Sequence, residues 1–222
     1  MITALREGAI IGAEISPEDV RRADSIFGKP YPYLAGKTTW RDPDLPAVIK
    51  GENIPLPKLQ GHTDIMQVAG VIALVTVFKP IDLTLMNLMP SKGHEAKKTA
   101  FLEQIGILKG AGFEIEQISG DAGDGYGTIL NEIMGPTFIP RSPGRHDGIV
   151  EAKIRRLKET LRCLLHSLPF GFNISLIRYA MKCVTYYSNL FPTRSGYKGL
   201  SPREALTGVK VDVKTCAGIG FG

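Results

Sequence analysis

Three acids, Asp64, Asp121 and Glu151, carry the strongest chemical signal in this chain. Asp64 stands just ahead of an uncharged run from Val68 to Phe78. Asp121 follows the alternating segment "FEIEQIS" (113–119), and Glu151 falls in the first turn of a helix expected to open near Asp147. If the first two lie on neighbouring strands and the helix docks over them, three carboxylates meet at one point. Carboxylates crowded in a partly buried site repel one another, and divalent cations relieve that repulsion. Mg²⁺ takes hard oxygen ligands and keeps positions open for water and phosphate. Two such ions about 4 Å apart activate a nucleophile and stabilise a leaving oxygen in phosphoryl transfer. Each acid also has an ordinary role open to it. Asp64 suits a solvated strand end. Asp121 and its neighbour Asp124 sit among glycines, where Asp forms turns. Glu151 gains from the helix dipole alone.

The elements that must position these acids follow from periodicity. Residues 63–69 and 71–78 read as two antiparallel strands joined at Gly70, and "IDLTLMNL" (81–88) alternates as a third. Ser91 is expected to cap a helix running to about Lys109, ended by "GAG". A fourth strand, 113–119, is followed by the loop "GDAGDGYG" and by a second loop, "MGPTFIPRSPGRHDG". Two long helices are then expected, from about Asp147 to Ser167 and over 174–190. Near the N-terminus "SPEDVRRA" carries a cap signal, with Ser16 before Pro17 and Glu18 and Asp19 in the first turn. Residues 29–61 are rich in Pro and Gly and read as extended or linking. The order is a three-stranded meander, helix, strand, loop and helices. It describes a mixed α/β sandwich and excludes a TIM barrel or doubly wound sheet. It divides into an N-terminal arm and linker (1–61), a core (62–190) and a C-terminal extension (191–222).

The 222 residues suffice for one α/β domain with an arm. The uncharged run is too short to cross a bilayer, no signal peptide is expected, and no membrane association is expected. Cys163, Cys183 and Cys216 are scattered and odd in number, which argues for a reducing compartment without a disulfide framework. No CxxC or paired-His spacing offers a structural zinc site. The net charge of +5 divides unevenly: residues 151–222 hold 12 Lys+Arg against 4 Asp+Glu, and residues 1–150 hold 15 against 18. A basic C-terminal third suits a polyanionic partner, or is simply a soluble face. Within "EAKIRRLKETLRCLLHSL", Ile154, Leu157, Leu161, Leu164 and Leu168 form a core stripe. Lys153, Arg155, Arg156, Lys158 and Arg162 lie off it. Arg155 and Lys158 follow Glu151 by four and seven residues and share its face, either as surface pairs or as phosphate contacts beside a metal ligand.

At the level of motifs the chain resembles the integrase region of copia-type (Pseudoviridae) LTR retrotransposon polyproteins, in the retroviral integrase superfamily. The matching stretches occur in order: "SPEDVRRADSIFG" with "LAGKTT", "HTDIMQVAGVIALVTVFKP", "GRHDGIVEAKIRRLKETLRCLLHSLPF", and "NLFPTRSGYKGLSPREALTG". The last is the most specific. The resemblance implies an RNase H-like fold, with the mixed sheet flanked by helices, an extended N-terminal arm and C-terminal helices. It implies a D,D,E triad in which Asp64 matches the first acid, Asp121 the second and Glu151 the third, holding Mg²⁺ or Mn²⁺. Asp124 rivals Asp121, because the chain reads "SGDAGDG" where the family often has Ser-Asp-Gly-Glu-Gly. Arg155 and Lys158 match positions that contact the DNA end, and Lys153 and Arg162 extend that basic set. "SPGRHDG" looks like the mobile loop that closes on substrate.

The implied activity is 3′-end processing of DNA and strand transfer. The implied partners are the element ends, target DNA and further copies of the chain, and the implied location is the nucleus after a cytoplasmic particle. The zinc-binding HHCC module and the reverse transcriptase that flank this region in the family fall outside these 222 residues. The chain therefore reads as a fragment of such a polyprotein or a decayed copy. Two other readings are a non-catalytic nucleic-acid-binding remnant and a metal-dependent nuclease of the same fold.

Overall fold

The uncharged run folds as the hairpin its composition demands. β2 (Leu59–Val68) and β3 (Val71–Lys79) are antiparallel, with Val68 opposite Val71 and Asp64 opposite Val75. Ala69 (φ 47°) and Gly70 (φ 80°) make the two-residue turn between them, the positive-φ pair that matches the twist of a hairpin. β4 (Leu83–Met89) continues the meander on the far side of β3. The structure, a computed structural model, describes residues 10–11, 15–28, 57–141, 148–169, 171–193 and 197–212. Most of the 29–61 linker and the 142–147 stretch of the substrate-loop motif lie outside the described residues.

The next helix, α2 (His94–Gly110), starts later than expected: its N-cap is Gly93, and Ser91 Oγ instead accepts a bond from the Gly93 N–H at 3.2 Å. The following strand is also displaced. β5 spans Ile115–Asp121, so Asp121 is its last residue rather than a loop residue. The stretch read as loop holds two further elements, α3 (Tyr126–Glu132) and β6 (Thr137–Arg141). β6 is an edge strand, where Pro140 costs no ladder bond. The sheet order is β4-β3-β2-β5-β6, with β5 parallel to both β2 and β6. α4 (Gly148–Ser167) and α5 (Ile174–Ser188) follow.

The helices form layers on both sides of the sheet. On one side Val71, Ala73, Val75, Val77 and Met66 pack against Val150, Ile154, Leu157 and Leu161 of α4 and Ile177, Ala180, Met181 and Val184 of α5. On the other, Leu74 and Ile118 pack against Phe101 and Ile105 of α2 and Tyr126, Ile129 and Leu130 of α3. β3 is buried over nearly its whole length because both its faces are covered, which is why its sequence is continuously apolar rather than alternating.

The C-terminal segment completes the core. Tyr197, Ala205 and Leu206, the last two on α6 (Pro202–Thr207), pack on the cluster of Leu59, Phe78, Ile81, Leu83, Leu108 and Phe113. Asn189 meets the open side of β4: its Oδ1 accepts from Thr84 N–H at 3.0 Å and its Nδ2 donates to Thr84 O at 2.8 Å. β1 (Ile10–Ile11) pairs in parallel with β7 (Val211–Asp212) in a second small sheet. α1 (Pro17–Phe27) carries the expected capping box, with Ser16 Oγ accepting from Asp19 N–H at 3.1 Å and Asp19 Oδ2 from Ser16 N–H at 2.8 Å.

Candidate active site

Strand register decides where the acids stand. β2 and β5 run parallel, and His62 and Ser119 are their last paired residues. Asp64 and Asp121 each lie two residues further, so alternation puts both on one face, the face of Met66. That is the side on which α4 packs. Asp64 is half-buried, and its Oδ1 accepts its neighbour Ile65's N–H at 2.6 Å. Asp121 is exposed at the strand end, where its Oδ1 accepts from Gly123 N–H at 3.0 Å and caps the turn Ala122–Asp124. Glu151 is exposed in the first turn of α4, one residue after the buried Val150 that anchors this end of the helix on the sheet.

These acids feel one another. Burial pushes the Asp64 carboxyl above the usual carboxylate range; the Ile65 N–H opposes this, and the negative charges of Asp124, Glu151 and Asp121 add to it. Asp64, Asp121 and Glu151 offer the hard oxygen donors that suit a divalent cation, whose charge would remove that repulsion. Among the described residues, however, no three His, Cys, Asp or Glu side chains are gathered closely enough to grip one ion as placed.

Asp124 has a different setting from Asp121. It is half-buried, and Lys97 Nζ donates to its carbonyl oxygen at 2.6 Å and to its Oδ1 at 3.3 Å. Lys97 is itself buried, its Nζ 5.0 Å from the centre of the Tyr126 ring. The Tyr126 phenol is raised far above its ordinary pKa, first by burial and then by the Asp124 charge. It stays a neutral wall behind the acids. Lys97 occupies one line of α2 with Ala100, Phe101, Gln104, Ile105 and Leu108, all buried. A lysine on an apolar stripe was the available sequence signal for this pair.

A polar row lies two residues below the acids on the same face. The Arg141 guanidinium donates to His62 Nδ1 at 3.0 Å and to Ser119 Oγ at 3.2 Å, and Ser119 Oγ lies 3.1 Å from His62 Nδ1. It joins β6, β5 and β2. Only the three-dimensional pairing of β6 with β5, which sets Arg141 opposite Asp121, brings it together.

The basic residues of α4 divide. At about 100° per residue, Arg155, Lys158 and Arg162 fall on the Glu151 flank of the apolar stripe. Lys153 falls on the other flank. It is half-buried, and burial holds its amine below the ordinary lysine value against the opposing pull of Asp82. Asp82 sits in the turn between β3 and β4, where Lys79 Nζ at 2.5 Å and the Thr193 hydroxyl bond it.

No protein-family model matches the sequence, and no curated protein sequence matches it. Solved structures do. The catalytic core domain of BIV integrase is similar over 67% of this chain and 93% of its own length, with a TM-score of 0.51 at 18% identity. The HTLV-2 integrase catalytic core domain, solved in complex with magnesium in a trimeric form, is similar over 68% of this chain and 97% of its own length, with a TM-score of 0.53 at 15% identity. The fold is that of a retroviral integrase catalytic core. The expected RNase H-like mixed sheet flanked by helices is therefore the observed one.

Proposed function

We propose that this chain is the catalytic core of an LTR-retrotransposon integrase, of the copia type that its motifs resemble. It would process DNA 3′ ends and transfer strands with Mg²⁺ or Mn²⁺. The observation that carries the reading is the parallel β2–β5 register, which sets Asp64 and Asp121 on the sheet face where α4 brings in Glu151. Asp64 and Asp121 would hold one ion, and Asp64 and Glu151 the second. The bound ions would supply Lewis acidity to the attacking and leaving oxygens of a phosphodiester. The chain's own residues do the rest. Arg155, Lys158 and Arg162 offer a basic flank beside Glu151 for backbone phosphates. Met66, Ala73 and Val75, all buried on this face of the sheet, keep water from the inner side of the site. Water or a 3′-hydroxyl oxygen forms the new P–O bond as the 3′ bridging P–O bond breaks, with no covalent attachment to the protein. Lys153 belongs to the docking of α4 over Asp82 in this reading, not to the DNA surface.

Strand transfer of a labelled duplex in Mg²⁺ or Mn²⁺, with Asp64→Asn and Glu151→Gln as controls, tests the proposal. Joined products from wild type and neither variant support it. Equal behaviour of all three refutes catalysis by this triad. Cleavage without joining identifies a nuclease instead. A second reading, a non-catalytic DNA-binding remnant, is favoured by one observation: the acids as placed do not form a ready cage for an ion. Salt-sensitive DNA binding without metal-dependent turnover would establish it.

A further inference from the structure

We propose that Lys97 is a built-in counter-cation that withholds Asp124 from the metal cluster and pins the Ala122–Asp124 turn to α2, leaving Asp121 as the ligand from this turn. The inference rests on the metal reading above and adds a positioning role for a residue outside the triad. Three carboxylates, Asp124, Glu151 and Asp121, influence Asp64, yet they are not equivalent. Asp124 alone among them has a buried lysine bonded to both its carboxylate and its carbonyl oxygen. The two contacts come from one ammonium, so they fix the backbone and the side chain of Asp124 together. Lys97 cannot easily leave. It is 6% exposed and lies over Tyr126, which is fully buried against Phe101 and Phe138. Moving Asp124 onto an ion would strand that ammonium without its partner, a costly state in a dry environment. Asp121 has no such tether: its bond from Gly123 N–H caps a turn and leaves it at the exposed strand end.

Asp124 and Lys97 form a charge-neutral pair, so removing both leaves the net charge of the site unchanged. The test is Mn²⁺ binding by calorimetry to the full chain and to Lys97→Met/Asp124→Asn, with Asp121→Asn alongside and thermal unfolding to confirm folding. The double variant is expected to bind Mn²⁺ within about threefold of wild type, while Asp121→Asn weakens binding by about tenfold or more. Lys97→Met alone, which exposes an uncompensated carboxylate, is expected to tighten Mn²⁺ by about threefold or more. A tenfold loss in the double variant would overturn the inference by making Asp124 a ligand. Should the double variant not fold, carboxyl ¹³C shifts of the wild-type chain in an Mg²⁺ titration decide: Asp64 and Asp121 move and Asp124 stays, and a moving Asp124 overturns it. Wild type that binds neither ion refutes the metal reading itself, and the inference falls with it. Metal binding that depends on Asp124 refutes the inference alone.

Discussion

Gly120, one residue before Asp121, offers a sharp test of how the sheet supports the site. A Cβ built there would stand 2.9 Å from Thr63 Cγ2 and 2.9 Å from Tyr126 Cδ2. Carbon atoms in favourable contact are about 3.5–4.0 Å apart, so both neighbours would have to retreat by about half an ångström or more. Neither has room. Thr63 is buried with its hydroxyl 3.0 Å from Thr76 Oγ1 and 3.3 Å from Val75 O. Tyr126 is edge-on to Phe101, centroids 5.6 Å apart, and to Phe138 at 6.3 Å. Gly120→Ala should therefore cost about 1–3 kcal/mol of overpacking, a fall of about 3–10 °C in Tm for a chain of this size. Gly106, inside α2 with nothing within 4 Å of its built Cβ, is the control. There alanine relieves the helix penalty of glycine and should add about 0.5–1 kcal/mol. Urea unfolding followed by far-UV circular dichroism measures both. A Gly120→Ala variant as stable as wild type, or a Gly106→Ala variant that loses stability, would refute the packing argument.

Other consequences can be measured on the same protein. Asn189→Ala removes both bonds to the Thr84 backbone and should cost about 1–3 kcal/mol; it also bares the β4 edge, so light scattering should show more self-association. Asp64 has a raised pKa in the fold, so its charged form opposes folding. The metal-free wild type should lose stability relative to Asp64→Asn as pH rises from the ordinary carboxylate value of about 4 through the raised folded value, and recover none of it above. Mg²⁺ needs the ionised form, so its affinity should climb over the same interval; urea midpoints with and without Mg²⁺ across that range check both signs. Arg155→Ala and Lys158→Ala should each lower the slope of log affinity for DNA against log salt by about 1. Lys153→Met should leave that slope unchanged, and an equal drop would return Lys153 to the DNA surface.

Local features of the fold were written plainly in the chain. The capping box at Ser16, the hairpin turn at Ala69 and Gly70, the apolar stripe of α4 and the continuous apolar β3 all depend on residues close in sequence. Other features were legible in type but masked by their neighbours. Tyr126, Ile129 and Leu130 have the spacing of a short helix, but the Gly- and Asp-rich approach masked it, and Pro140 hid the β6 edge strand. Ser91 had the right chemistry for a helix cap, yet the chain turned two residues later, because a cap is selected by where the helix packs as well as by its own hydroxyl.

The acids divide in the same way. Their types and the alternation around Asp64 could be read from the sequence, and so could the helical face that Glu151 shares with Arg155 and Lys158. What tertiary structure decided was partnership: that β5 lies parallel beside β2 with Asp64 and Asp121 each two residues past its last pair, that Lys97 reaches from α2 to Asp124, and that Arg141 reaches across β5 to His62. Alternation and helical periodicity are local, set by bond geometry within a few residues. Which strand lies beside which, and which charge finds which counter-charge, is settled only when distant segments bury their apolar faces together.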